Sequence, residues 1–139
     1  MPRIMVINDT QEILALFRDI LTEEGHEVAL YSSAIHDMEE IERVSPALII
    51  LDFVFGNENL GFQMLQKIKM RRSTAGLPVI VCTAALQAVR EMEGYLRSKG
   101  VQIVLKPFDV DDLIRAVQRG LDTAAYESQV DHADPPDAT

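Results

Sequence analysis

The chain has 139 residues, 47% of them apolar and 25% charged, which is enough for one domain with a buried core and too little for two. Its formal net charge of -9 argues against a surface for nucleic acid or for an anionic membrane, since both need clustered Lys and Arg. Of 22 acids and 13 bases, five acids and no base fall in residues 120–139, so over half of the excess charge lies at the carboxyl end.

Residues 4–7 form the first of five short apolar runs and stop at Asn8-Asp9. Ile13, Leu14, Phe17, Ile20 and Leu21 then recur at helical spacing, with Gly25 placed to close the helix. A second run, residues 28–31, leads to a weaker helical stripe of Met38, Ile41 and Val44. The third run, 47–51, ends at Asp52, and Phe62, Leu65, Ile68 and Lys69 mark a third helix. The fourth run, 79–82, ends at Thr83 and precedes a helix carrying Val89, Met92 and Leu96 that stops before Gly100. The fifth run, 101–105, ends at Lys106-Pro107. A fifth helix follows on Val110, Leu113, Ile114, Val117 and Leu121, with Asp109 as N-cap and Asp111 and Asp112 favourable to its dipole. From residue 126 the chain is poor in apolar groups and contains a Pro pair, so a domain over 1–125 and a disordered acidic tail over 126–139 are expected, with no room for an output domain.

The first, third and fourth runs are nearly continuous, as suits strands buried on both faces of a parallel sheet. Regular βα alternation predicts an α/β fold: a doubly wound five-stranded parallel sheet, flavodoxin-like (βα)5, with strand order 2-1-3-4-5 and right-handed crossovers. Such sheets bind ligands beyond the carboxyl ends of their strands, near the switch point between strands 1 and 3. Asn8, Asp9, Asp52, Thr83 and Lys106 all follow strand ends there, whereas strand 2 ends off to one side in Tyr31-Ser32-Ser33.

Asp9 and Asp52 on adjacent strand ends offer two carboxylates to a hard cation such as Mg²⁺, whose charge offsets their repulsion. An ionised Asp52 can attack a phosphoryl donor, and the transfer then needs mainly positioning and charge neutralisation. Lys106 supplies a point cation for phosphoryl oxygens, Thr83 a hydroxyl donor, and Pro107 offers a cis or trans peptide after Lys106. Each residue also has an ordinary explanation: Asp9 as the first helix's N-cap, Thr83 as a β-former, Lys106 as a solvated strand end, Asp52 as a turn residue. Only their conjunction at one sheet edge calls for more. Cys82 reads as a core residue, and His26, His36 and His132 lie in unrelated segments with no ligand pattern.

IMVIND, LIILD, Gly61 opening the third helix, PVIVCTA and VLKPF together resemble the receiver domain of two-component response regulators, in its single-domain, stand-alone form, over residues 3–119. The resemblance implies that Asp52 is the phosphoacceptor, Asp9 a metal ligand, Thr83 the switch hydroxyl and Lys106 the phosphate-contacting lysine, with Mg²⁺ or Mn²⁺ as cofactor. It implies a histidine kinase or a histidine phosphotransfer protein as donor. A downstream protein would dock on the face of the fourth helix, fifth strand and fifth helix, and a homodimer is left open. It implies a signalling protein rather than a dedicated enzyme, although one that assists its own phosphorylation and dephosphorylation.

Four departures from the family pattern stand out. Asn8 replaces the first of two acids, which leaves an amide oxygen in reach of the ion and predicts weaker Mg²⁺ affinity. The loop 53–60 lacks the usual Met-Pro pair and the acid before Gly61, while Val54 aligns with the residue whose carbonyl binds the metal. Ile103 stands in place of an aromatic switch residue. Val54 and Ala85 flank the site without a group to hold water. A phosphorylation-independent interaction domain is therefore the alternative reading; a nucleotide- or flavin-binding enzyme is opposed by the absence of glycine in Asn8-Asp9-Thr10-Gln11. A single cysteine, no h-region at the amino end and no run near membrane-spanning length lead to the expectation of a cytoplasmic protein.

Overall fold

In the computed structural model the described residues are 2–35, 37–53 and 60–133, with side chains described through 123. The strands are β1 (Arg3–Ile7), β2 (Glu27–Tyr31), β3 (Leu48–Leu51), β4 (Val79–Thr83) and β5 (Gln102–Leu105). The helices are α1 (Gln11–Glu23), α2 (Met38–Val44), α3 (Leu60–Met70), α4 (Arg72–Ala75), α5 (Leu86–Ser98) and α6 (Val110–Ala133). All strand pairs are parallel, in the order β2-β1-β3-β4-β5. The doubly wound α/β sheet and its strand order are thus those expected from the sequence.

Burial follows sheet position. Every residue of β3 and β4 and all but the first of β1 are buried, while the edge strands β2 and β5 are mostly half-buried. Alternate residues feed two cores. Met5, Ile7, Ile49, Leu51, Val79 and Val81 face α2, α3 and α5 through Ile41, Leu65, Ile68 and Leu96. Ile4, Val6, Leu48, Ile50, Ile80 and Cys82 face α1 and α6 through Leu14, Phe17, Leu21, Leu113 and Val117. A period of two on a sheet covered on both sides makes both sets apolar, which is why these strands read as continuous runs.

Helix ends match their signals. Gly25 at φ +90° follows the end of α1, and Gly100 at φ +69° follows the end of α5; both conformations are costly for a residue with a Cβ. Asp109 Oδ1 accepts from the Asp111 N–H at 2.9 Å, capping α6, and Asp37 does the same for Glu39 in α2. Gly120 lets α6 lie close to the sheet, since a Cβ there would stand 2.6 Å from Leu48 Cδ1.

Two differences from expectation appear. The short helix α4 was not foreseen; four residues carry no period, and what holds it is tertiary, through Thr74 Oγ1 donating to the Ile68 carbonyl at 2.7 Å. The fourth and fifth helices of the sequence reading are therefore α5 and α6. In addition, α6 runs on to Ala133, past residue 126 where a disordered tail was expected. The segment from Ala124 to Ala133 has no Gly or Pro and contains Ala, Glu and Gln, so an established helix propagates through it. Residues 134–139 lie outside the described residues. Among the described residues, no helix is long and apolar enough to cross a membrane.

Candidate functional site

The carboxyl edge is assembled by register. Ile7 pairs with Leu51, so Asn8 and Asp52 leave β1 and β3 side by side. Thr83 pairs with Leu105, and the Lys106 N–H donates to the Thr83 carbonyl at 3.0 Å, which brings β4 and β5 to the same level. Phe108 stacks on Phe17 of α1, ring centroids 5.6 Å apart and planes at 11°. That contact anchors the β5–α6 turn just beyond Lys106 and the Lys106-Pro107 peptide, which is cis.

Asp52 is only 8% exposed. Its Oδ2 accepts from Lys106 Nζ at 3.1 Å and from Asn8 Nδ2 at 3.4 Å. A buried carboxylate needs such partners, because desolvation is otherwise expensive. Asn8, itself 2% exposed, accepts the Thr10 N–H on Oδ1 at 2.9 Å. The Thr10 bond orients the amide, so its nitrogen rather than its oxygen is turned to Asp52.

Asp9 is exposed, and its Oδ1 accepts from Thr10 Oγ1 at 3.4 Å. The N-cap residue of α1 is Thr10 rather than Asp9, so the ordinary explanation of Asp9 does not apply. Thr83 is 1% exposed, and its Oγ1 accepts the Ala85 N–H at 3.1 Å. The structure thus brings together Asn8, Asp52 and Lys106 in direct contact, with Asp9 and Thr83 at the same edge. Val54, the expected carbonyl ligand, lies outside the described residues. Among the described residues, no group of three His, Cys, Asp or Glu side chains converges on one point.

The importance of two features was not legible in the sequence. Gly61 sits against the Asp52 backbone: a Cβ would fall 1.8 Å from the Asp52 carbonyl oxygen. An aromatic ladder starts beside the acid, where Phe53 packs edge-on to Phe62 at 5.6 Å and Phe62 edge-on to Tyr95 of α5 at 5.7 Å. Ile103 packs against the same core from β5. These aromatics lie far apart in sequence and share no spacing signal.

Cys82 is buried beneath the site, and burial pushes its thiol up to about 11 from an ordinary 9.0, with Lys106 opposing and Asp52 adding slightly. The folded protein holds this proton more tightly than the unfolded chain. The stabilisation is complete below about pH 9 and is lost as the pH rises toward 11. Native protein at pH 8 is expected to resist iodoacetamide, and Cys82→Ala to flatten the fall in urea midpoint over that alkaline window. Rapid native labelling at pH 8 would contradict the buried, protonated thiol.

An open parallel sheet carrying a buried acid, a lysine and a hydroxyl residue at its carboxyl edge defines a class of α/β domain. The profile of the response regulator receiver domain matches residues 4–118, and the chain belongs to that family. It is 30% identical over 118 residues to the DNA-binding dual master transcriptional regulator RpaA of Synechocystis, covering 85% of this chain and 48% of RpaA. It is 25% identical over 120 residues to the chemotaxis protein CheY of Bacillus subtilis, covering 86% of this chain and 97% of CheY. The signal receiver domain of a LuxO repressor protein from Vibrio parahaemolyticus superposes with a TM-score of 0.79 at 25% identity, over 94% of this chain and 97% of that one. The chain spans about half the length of transcriptional regulators such as RpaA and PhoB of Rhizobium meliloti. Receiver domains are signalling switches of two-component systems rather than dedicated enzymes.

Proposed function

We propose that this protein is a phosphoacceptor switch. It takes a phosphoryl group on Asp52 from a histidine kinase or a histidine phosphotransfer protein, with Mg²⁺ or Mn²⁺, and relays the signal through protein contacts. The observation that carries this reading is the Lys106 ammonium 3.1 Å from the Asp52 carboxylate at the sheet edge where open α/β domains bind ligands.

In the transfer the N–P bond of a phosphohistidine breaks as a carboxylate oxygen of Asp52 forms an O–P bond, and the donor imidazole leaves. Lys106 supplies a positive charge within reach of the new phosphoryl oxygens. The Thr83 hydroxyl uses its oxygen to hold the Ala85 N–H and has its hydrogen to donate to a phosphoryl oxygen. The donor set fits a hard divalent ion that retains several of its waters: Asp9 and Asp52 would hold it by carboxylates, and Val54 by its carbonyl. Asn8 can join only by sharing the oxygen that the Thr10 N–H occupies. Bound Mg²⁺ would supply charge neutralisation between carboxylates and phosphoryl oxygens.

The relay face is α5, β5 and α6, where Leu86, Leu105 and Val110 are each more than 40% exposed. A downstream protein is its expected occupant, in the cytoplasm, with a second copy of the chain as an open alternative. A phosphorylation-independent interaction domain is the second reading. One observation favours it: the Asn8 amide turns its nitrogen to Asp52 Oδ2 and gives its oxygen to the Thr10 N–H, so Asn8 adds no charge for a cation.

Incubation with Mg²⁺ and a small-molecule phosphodonor is expected to add the mass of one phosphoryl group to the intact protein and nothing to Asp52→Asn. No adduct on the wild type, under conditions that modify a known receiver, would leave the interaction-only reading standing.

A further inference from the structure

A cleft of about 340 Å³ lies at the opposite pole of the sheet, where β4 and β5 begin, lined by Lys69, Lys99, Gln102, Arg119, Gly120 and Thr123. Three of these are cations, and no Asp or Glu lines the cleft among the described residues. The cleft thus gathers three cations in a chain whose net charge is -9.

The cations are held in place. Lys69 Nζ donates to the Ala75 and Leu77 carbonyls at 3.1 and 2.8 Å. Lys99 Nζ sits 5.8 Å above the Tyr95 ring centroid. Arg119 Nε donates to Gln102 Oε1 at 3.1 Å, and Gln102 Nε2 donates to the Ala116 carbonyl at 2.8 Å, which fixes the guanidinium plane. Neither Lys99 nor Arg119 forms an ion pair with a described residue. Gly76 and Gly100 border the cleft with open space where side chains would stand. One wall, the turn Leu77-Pro78, is apolar.

We propose that this cleft is a binding site for a small phosphorylated metabolite of nucleotide size, separate from the phosphoacceptor site. Its volume falls in the range of small-ligand pockets, roughly 300–1,000 Å³, and exceeds what one phosphate group fills. A rigid guanidinium fork with two ammonium groups suits a ligand carrying several phosphoryl oxygens. The apolar wall suits a ring or chain attached to them.

Titrate the ¹⁵N-labelled full chain with sodium tripolyphosphate and, separately, with ATP, both free of divalent ions and at constant ionic strength. Saturable shifts are expected at the amides of Gly76, Gly100, Gln102 and Gly120, with submillimolar Kd. The double variant Lys99→Gln/Arg119→Gln is expected to weaken binding at least tenfold, with an unchanged melting profile. Asp52→Asn is expected to leave it intact, which separates this site from the phosphoacceptor. Tighter binding of ATP than of tripolyphosphate would assign the apolar wall to the base. Shifts reproduced by sulfate at equal ionic strength, shifts confined to the Asn8, Asp52 and Lys106 amides, or undiminished affinity in the double variant would each overturn the proposal.

Discussion

Gly61→Ala is expected to be the most damaging single-methyl change in the protein. The added Cβ would stand 1.8 Å from the Asp52 carbonyl oxygen and 2.7 Å from both the Asp52 carbonyl carbon and Phe53 Cα. All three are backbone atoms, so no side chain can swing aside. The Gly61 N–H also donates to the Phe53 carbonyl at 2.9 Å, which ties the first turn of α3 to the end of β3. Relief requires that turn to move off the sheet and carry the Asp52 backbone with it. Overpacking of this kind costs about 1–3 kcal/mol or more. The urea midpoint should fall accordingly, and any folded fraction should accept phosphoryl groups from a small donor more slowly. Gly94→Ala serves as control: nothing lies within 4 Å of its Cβ, on an exposed part of α5, and that change should stabilise by about 1 kcal/mol. Equal stability of Gly61→Ala and wild type would show that the approach of α3 to β3 is not required.

Asn8→Asp should act in opposite directions on stability and on metal affinity. Asn8 is buried and donates to Asp52 Oδ2 at 3.4 Å, so the substitution replaces a donor by a second carboxylate facing the first. Loss of the hydrogen bond and like-charge repulsion should lower metal-free stability by about 1–3 kcal/mol near neutral pH. The same second charge should tighten Mg²⁺ binding by roughly tenfold or more, because charge count tunes such sites. Melting temperature should therefore rise with Mg²⁺ much more steeply in the variant than in wild type. A variant that binds Mg²⁺ no better would remove Asn8 as the reason for any weakness at this site.

The orientation of Asn8 illustrates where sequence reading stops. The residue's place after β1 follows from the apolar run before it. Which end of its amide meets Asp52 depends on the Thr10 N–H two residues on, and so on the turn that the chain makes there. Asp9 shows the same limit from the other side. An acid before a helix is a good N-cap candidate, yet the cap falls on Thr10, one residue later. Val54 stays an expectation as a carbonyl ligand, because it lies outside the described residues.

What the sequence determined by itself is the order of elements, the burial of β1, β3 and β4, and the edge at which Asn8, Asp9, Asp52, Thr83 and Lys106 meet. These follow from local signals: apolar runs, helical stripes, and the residue that ends each strand. Only the tertiary structure decided the contact of Gly61 with Asp52, the helix α4, the ladder from Phe53 to Tyr95, and the basic cleft of Lys69, Lys99 and Arg119. Those features join residues of different elements, and their distances are set by how helices settle on a twisted sheet. No periodicity encodes such distances, because packing selects them only after the local elements exist.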